Sequence, residues 1–490
     1  MVRSALLLTL ANLAMRGVTM LFQVYLTGQV GAAGIGLLQL VLTVNAFAVT
    51  IGTSGLRVAA MYLSAEEYGL QRFHGIRQAM VRCVVSGTIL SALVGAAMAV
   101  LAQPLSLYWV KDLQAEASLR LLGATLPLTC LSGILAGYFT ACGKIKKLVA
   151  VEIADRLLSV VLTVLLLQQG ICGDLSHACV CIVGGSALTS LGSVTVLLLM
   201  ICQDLRPYKQ QEPLQMGTRL RRLCVPVALN DYLRSGLGTL EQFLIPYGLA
   251  RSGGSRTMAL ADYGTIQGMV FPLMMLPSTL LYAAADLLIP ELALSSARKD
   301  QKRLSRITSR WLSVGCLYAC MIAGLLYVTA PSLGVLLYES PEAGRYLRWF
   351  APLLPVLYLD CIVDGMHKGL GQQIYCVRVN TLTNLLDVIG LYLLLPRFGI
   401  GGYFVTYTVT HVLNFGLSLH RLLHLSNQAP SLSFLAGTVC SVLAAAIIVV
   451  FFVPTVSRWS SVLICSGLYL TLLGLLLTLT GTVDRQTQSS

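Results

Sequence analysis

Charge is scarce in this chain: 11% of its 490 residues are Asp, Glu, Lys or Arg, against 56% that are hydrophobic. A soluble protein of this length could not solvate such a surface, so the solvent has to be lipid. Strict apolar–polar alternation over about ten-residue strands is missing, which disfavours a membrane β-barrel and leaves helices. No GxxxxGK(S/T) run occurs, so no nucleotide-binding loop of that kind is available to drive a cycle with ATP. HExxH and CxxC spacings are absent, and His74, His177, His367, His411, His420 and His424 are scattered, so neither a zinc site nor another cofactor is expected. The 14 cysteines form no regular framework. Most, such as Cys130, Cys316 and Cys440, lie within apolar runs as small buried residues, and Cys172 is among the few near a loop.

What the chain has in abundance is long apolar stretches. About 14 of them are long enough to cross a bilayer, at 4–27, 37–63, 81–103, 119–141, 148–168, 178–202, 223–249, 262–290, 308–331, 349–370, 376–396, 402–423, 433–453 and 459–480. The expectation is an all-α polytopic membrane protein. The first run reads as a transmembrane helix, not a cleaved signal, because more spans follow it at once and no small-residue cleavage site precedes a soluble domain. The formal net charge of +13 does not imply nucleic acid, since no basic soluble module is present. The basic residues fall in short loops at alternating helix ends. One side holds Arg3, Arg72, Arg77, Arg82, Lys144, Lys146, Lys147, Arg206, Lys209, Arg219, Arg221, Arg222, the run from Arg298 to Arg310, Lys368, Arg378, Arg421 and Arg485. The other holds Lys111, Arg251, Arg256, Arg345, Arg348, Arg397 and Arg458. That imbalance, about three to one, predicts both termini in the cytoplasm.

The polar connection 203–222 divides the chain, and a faint repeat spans it. Asn12 and Arg16 in the first span share their spacing with Asn230 and Arg234 in the seventh. Gly36-Leu-Leu-Gln39 opens the second span as Gly264-Thr-Ile-Gln267 opens the eighth. A duplicated unit of six helices would give parallel repeats: a first bundle over 1–202, a linker at 203–222, a second bundle over 223–424, and two further helices with a short tail over 425–490.

A charged side chain at mid-membrane costs about 2.5–3.5 kcal/mol and is expected to face a cavity or a partner. Arg16, Arg57 and Arg234 are such residues, and they point to a carrier with a cationic interior and an anionic cargo. The guanidinium groups of Arg16 and Arg234 suit forked hydrogen bonds to a diphosphate, with Asn12 and Asn230 beside them at the substrate site. A plainer role for Arg234 is pairing with Asp231 or Glu241 within the bundle. Arg57 could receive a head group or simply snorkel to the interface. Arg156, four residues after Glu152, reads as half of an intrahelical salt bridge. Asp360 and Asp364 share a helix face and could hold a proton or sodium ion, or the pair could close a gate with Lys368. Asn380, Asn384 and Asp387 form a stripe suited to interhelical hydrogen bonding.

A set of ordered motifs carries a family resemblance. Gly31-Ala-Ala-Gly-Ile-Gly-Leu-Leu-Gln-Leu is followed by Thr53-Ser-Gly-Leu-Arg57-Val-Ala and Ser64-Ala-Glu-Glu. Leu287-Leu-Ile-Pro290-Glu291, Tyr358-Leu-Asp360-Cys-Ile-Val-Asp364-Gly, Lys368-Gly-Leu-Gly-Gln372-Gln and Leu395-Pro396-Arg397-Phe-Gly399-Ile-Gly401-Gly-Tyr403 come later. Together they resemble the stage V sporulation protein B group of the polysaccharide transporter (oligosaccharide flippase) family, over nearly the whole chain. At position 57 this chain has arginine where the group often has another residue. The resemblance implies the multidrug/oligosaccharidyl-lipid/polysaccharide exporter fold, two six-helix bundles in a V with two extra C-terminal helices. It also implies flipping of polyprenyl-diphosphate-linked sugars, lipid II-type or another polysaccharide precursor, across a bacterial cytoplasmic membrane by alternating access. The expected partners are that lipid-linked sugar, membrane lipid and a coupling proton or sodium ion; a monomer and no enzymatic chemistry are expected. The competing reading is a cation-coupled multidrug exporter of the same superfamily.

Overall fold

The structure is a computed structural model that describes residues 2–169, 175–206, 216–426, 432–452 and 459–479, with side chains from residue 13 onward. The Arg3 and Asn12 side chains, Cys172, Lys209, Arg458 and Arg485 therefore lie outside the described residues, as do residues 207–215 of the 203–222 connection. Among the described residues every regular element is helical, and nine helical stretches are long and apolar enough to cross a membrane. This is a multi-pass membrane protein.

The helices are α1 (Val2–Thr53), α2 (Leu56–Gly69), α3 (Phe73–Val100), α4 (Glu116–Ala141), α5 (Ile145–Gln169) and α6 (Leu175–Leu205). They continue as α7 (Met216–Arg251), α8 (Arg256–Thr265), α9 (Thr279–Ala297), α10 (Gln301–Tyr338), α11 (Pro341–Phe350) and α12 (Leu354–Gly369). The last four are α13 (Gln373–Phe398), α14 (Ile400–Ser426), α15 (Leu432–Phe452) and α16 (Trp459–Leu479). Both α5 and α7 match the spans in length but carry charge clusters, Glu152-Asp155-Arg156 in one and Asp231-Arg234-Glu241 in the other. Lipid alone would not accommodate those charges.

Three departures from the expected spans have local causes. The first two spans are one continuous run, α1, kinked at Gly31 (φ 69°, ψ 175°), where any Cβ would be strained. The second span then breaks at Ser54 and Gly55, both with positive φ, and α2 resumes it. The eighth span is interrupted twice. A π-helical turn at Ile266–Val270 follows α8, and after a short helical segment, Phe271–Met275, the α-helical hydrogen-bond pattern lapses over 276–278, where i+3 bonds replace it. Pro277 lacks the backbone N–H that an unbroken helix would need there.

The chain separates into two compact units, Met1–Gly36 with Leu244–Ser490 (unit 1) and Leu37–Phe243 (unit 2). Each contains a piece from the other half of the sequence. In unit 2, Met216 and Leu220 of α7 are buried in a core with Leu56, Leu63, Ile76, Ile134 and Phe139. Ion pairs reinforce that seam: Arg219 meets Glu66 at 2.6 Å and the fully buried Glu67 at 2.9 Å. Lys144 meets Asp204 at 2.7 Å.

In unit 1, Phe350 packs against Phe271, Tyr403, Phe404 and Tyr407. Helices α15 and α16 pack on α10. The ring of the buried Tyr469 fills the space a Cβ would take at Gly324, and its hydroxyl donates to the Met321 carbonyl at 3.2 Å. Just past the Gly31 kink, α1 crosses α8 where Gly36 and Gly264 meet backbone to backbone, a Cβ on either being blocked by the other's helix. Small residues at a crossing let membrane helices approach closely. These are the paired glycines of the sequence repeat.

Candidate functional site

In unit 1 the broken helix creates the site. Where α-helical pairing stops, carbonyls near 274–277 need other donors. The Tyr358 hydroxyl donates to the Met274 carbonyl, that of Tyr318 to Pro277 at 2.9 Å, and Nη1 of Arg16 to Met275 at 3.4 Å. The Arg16 guanidinium also lies 5.6 Å from the centroid of the Tyr282 ring. Arg16 is exposed and makes no salt bridge among the described residues. A guanidinium offers five N–H donors, so most of its fork remains available.

Tyr282 is also within electrostatic reach of Asp360 and Asp364. Asp360 accepts from the Asn414 amide at 3.2 Å through one oxygen, and Asn414 in turn receives the Thr383 hydroxyl at 3.3 Å. The Oδ1 atoms of Asp360 and Asp364 are buried and have no hydrogen-bond partner among the described residues. Cys361 sits amid Asp360, Asp364 and Asp286. Unit 1 thus assembles a mixed site: a cationic fork above a phenol ring, with two carboxylates nearby. Among the described residues no cluster of three or more His, Cys, Asp or Glu could hold a metal ion.

The sequence did not point to Tyr282 or Asn414, because only packing brings Tyr282 of α9 beside Arg16 of α1 and Asn414 of α14 beside Asp360 of α12. Pro277 was the available signal for the break that draws Arg16 in. Two expected intrahelical pairs do not form. Lys368 is exposed and makes no salt bridge with Asp364, whose side chain instead faces Cys376. Glu152 and Arg156 feel each other electrostatically, together with Arg57 and Asp155, but do not pair within salt-bridge distance.

Unit 2 holds the remaining candidates. Arg57 on α2 is exposed, its alkyl stem lying over Gly133. Arg234 on α7 is exposed too and makes no salt bridge with Asp231 or Glu241, both half-buried, as is Asn230. Next to Asp231, the Tyr232 hydroxyl bonds Ser54 at the start of the α1–α2 break and the Ile51 carbonyl at 3.5 Å.

Helices, the only regular elements among the described residues, repeatedly broken and carrying charge within their apolar lengths, define the class: an all-helical polytopic membrane fold. The solved structures agree. A lipid II flippase, MurJ, in an inward closed conformation, matches with TM-score 0.72 and 12% identity, over 97% of this chain and 99% of that one. A multidrug resistance MATE family transporter of the MOP superfamily in its inward-facing conformation matches with TM-score 0.66 and 14% identity, over 85% and 96%. An outward-facing MATE structure gives 0.58, 14%, 86% and 96%. A search of curated protein sequences returns no significant match. The family model described as polysaccharide biosynthesis protein matches residues 1–296, and the chain belongs to that family.

Proposed function

We propose that this protein moves a polyprenyl-diphosphate-linked oligosaccharide, lipid II-type or another polysaccharide precursor, across a bacterial cytoplasmic membrane by alternating access. Both termini would lie inside, and the polymer served would be wall, capsule or spore cortex. The observation carrying this reading is Arg16, a guanidinium set within an apolar helix with no carboxylate on it and an aromatic shelf beneath. A diphosphate supplies the counter-charge and matches the fork. Asn12 would join Arg16 in unit 1, and Arg57, Asn230 and Arg234 of unit 2 would offer head-group contacts of their own, with Asp231 and Glu241 on the same helix as Arg234 tuning them. The sequence halves 1–202 and 223–424 would rock, residues 425–490 adding two helices, and the protein would act as a monomer without covalent chemistry.

The coupling role falls to Asp360 and Asp364. Two carboxylates with partnerless buried oxygens favour binding a proton or a sodium ion. One charge crossing 100 mV supplies about 2.3 kcal/mol, enough to bias the two states appreciably. The same pair gives the second reading, a cation-coupled multidrug exporter, its one specific support.

Proteoliposomes separate the two. A fluorescent polyprenyl-diphosphate sugar and a cationic dye are offered in parallel, each with and without sodium, proton and potential gradients. Movement of the lipid-linked sugar alone is expected; movement of the dye alone, abolished in Asp364→Asn, would replace this reading with the second.

A further inference from the structure

The end of unit 1 away from the basic Arg298–Arg310 segment also carries arginines. Three helix–helix turns meet there. At the α7–α8 turn are Arg251 and Arg256, on α11 are Arg345 and Arg348, and at the end of α13 is Arg397. Tertiary contacts hold them in one patch. A Cβ on Gly399 would touch the Ser252 side chain, the Tyr346 hydroxyl donates to Asp262 at 2.7 Å, and Trp349 lies 6.3 Å from Phe404 between ring centroids.

The arginines in this patch are unusually prepared. Arg251 lies 5.0 Å from the centroid of the Tyr247 ring, Arg345 5.4 Å from that of Tyr346, and Arg348 4.7 Å from that of Tyr327. A guanidinium lying over a ring can still offer N–H groups for forked hydrogen bonds; Arg345 spends part of its set on the Tyr346 side chain. Arg251, Arg345, Arg348 and Arg397 make no salt bridge among the described residues. Two acids lie close by: Asp262 accepts from Tyr346 and is within electrostatic reach of Arg345, and Glu342 accepts from Ser340 at 3.4 Å, which leaves Arg251, Arg348 and Arg397 the most open of the set. Trp349, 42% exposed, offers a flat apolar face on the same helix.

We propose that this patch is a docking surface for a sugar diphosphate, the head group of the transported lipid after it has crossed. The inference rests on the flippase reading, which makes this the external end. Forked guanidinium edges meet the phosphate oxygens, and Trp349 takes the face of the first sugar ring. An outer-leaflet phospholipid would offer phosphate as well, but to basic residues of either unit. In unit 2 the 101–116 turn sets Lys111 beside Asp112, and the nearby Arg120 is closed by Glu116 at 2.6 Å. The concentration of open arginines in one unit favours a discrete ligand.

The test uses the full chain in phosphatidylcholine nanodiscs, with Arg16→Ala and Arg234→Ala introduced to silence the interior subsites. The probes are inorganic pyrophosphate and a short-chain prenyl-diphosphate disaccharide. Residual binding of both is expected, weakened roughly tenfold or more by adding Arg251→Gln, Arg345→Gln and Arg397→Gln. In otherwise unaltered protein, Trp349→Ala should weaken the disaccharide probe severalfold and leave pyrophosphate unchanged. Absence of binding in the silenced background, or affinity indifferent to the three glutamines, overturns the proposal. So does full displacement of the probe when phosphatidylglycerol replaces phosphatidylcholine, which would make the patch a lipid site. Should the silenced background unfold on melting, the three glutamine substitutions are measured in otherwise unaltered protein, with the same reading. Wild-type protein that transports no lipid-linked sugar yet binds the probes through this patch would sink the flippase reading and leave the surface standing.

Discussion

The two units handle charge in opposite ways. Unit 2 closes its ion pairs at the ends of helices. Arg219 is clamped by two glutamates and Lys144 by Asp204, all at 2.6–2.9 Å. Unit 1 has a looser end pair, Arg303 with Glu291 at 3.5 Å, and keeps its polar groups inside, around a helix that breaks. A buried carboxylate such as Glu67 cannot be left alone, so its partner is fixed. Arg16, lying over a ring and touching one carbonyl, is free to change partner. Unit 2 thus commits its helix-end charges to architecture while Arg57 and Arg234 make no salt bridge among the described residues, and unit 1 leaves Arg16 open beside a break.

The largest effect that would break this contrast is on stability. Arg219→Ala leaves Glu67 buried without its cation and should cost about 3 kcal/mol or more, seen as a lower Tm in detergent. Arg303→Ala at the half-exposed pair should cost under about 1 kcal/mol. Equal shifts would mean that the clamp in unit 2 is not what holds α7 to α2. Next comes the glycine crossing of unit 1. Gly264→Leu should destabilise by about 1–3 kcal/mol through overpacking, whereas Gly28→Ala, where a Cβ meets nothing within 4 Å, should be neutral or slightly favourable. Smaller still, Tyr318→Phe removes the nearer donor to the Pro277 carbonyl, leaving the Leu280 N–H at 3.4 Å, and should cost about 1 kcal/mol. If the melting point does not move, the Leu280 N–H satisfies that carbonyl by itself and the break is held by other contacts.

Much of this is readable in the chain. Long apolar runs become helices, Gly31 and Pro277 sit at the kink and the break, and the weak repeat pairs Gly36 with Gly264, the two glycines that meet at the crossing. The apolar pattern could not foretell that Arg219 and Glu67, 152 positions apart, would meet. Nor could helical spacing secure Glu152 with Arg156 or Asp364 with Lys368. Spacing decides which side chains share a face. The neighbouring helix decides which of them is drawn inward, as Asn414 is to Asp360 and Thr410 to Asp387 at 2.8 Å. Tyr282 has no motif at all, and its role comes wholly from the packing of α9 beside α1.

The most direct test is the initial rate of lipid-linked sugar flipping in proteoliposomes for Arg16→Ala and Arg16→Lys beside wild type. Loss of tenfold or more in the alanine variant is expected, with only partial recovery in the lysine variant, whose point charge lacks the fork. A rate equal to wild type in Arg16→Ala, in protein with an unchanged melting point, would contradict the assignment of that guanidinium to the cargo.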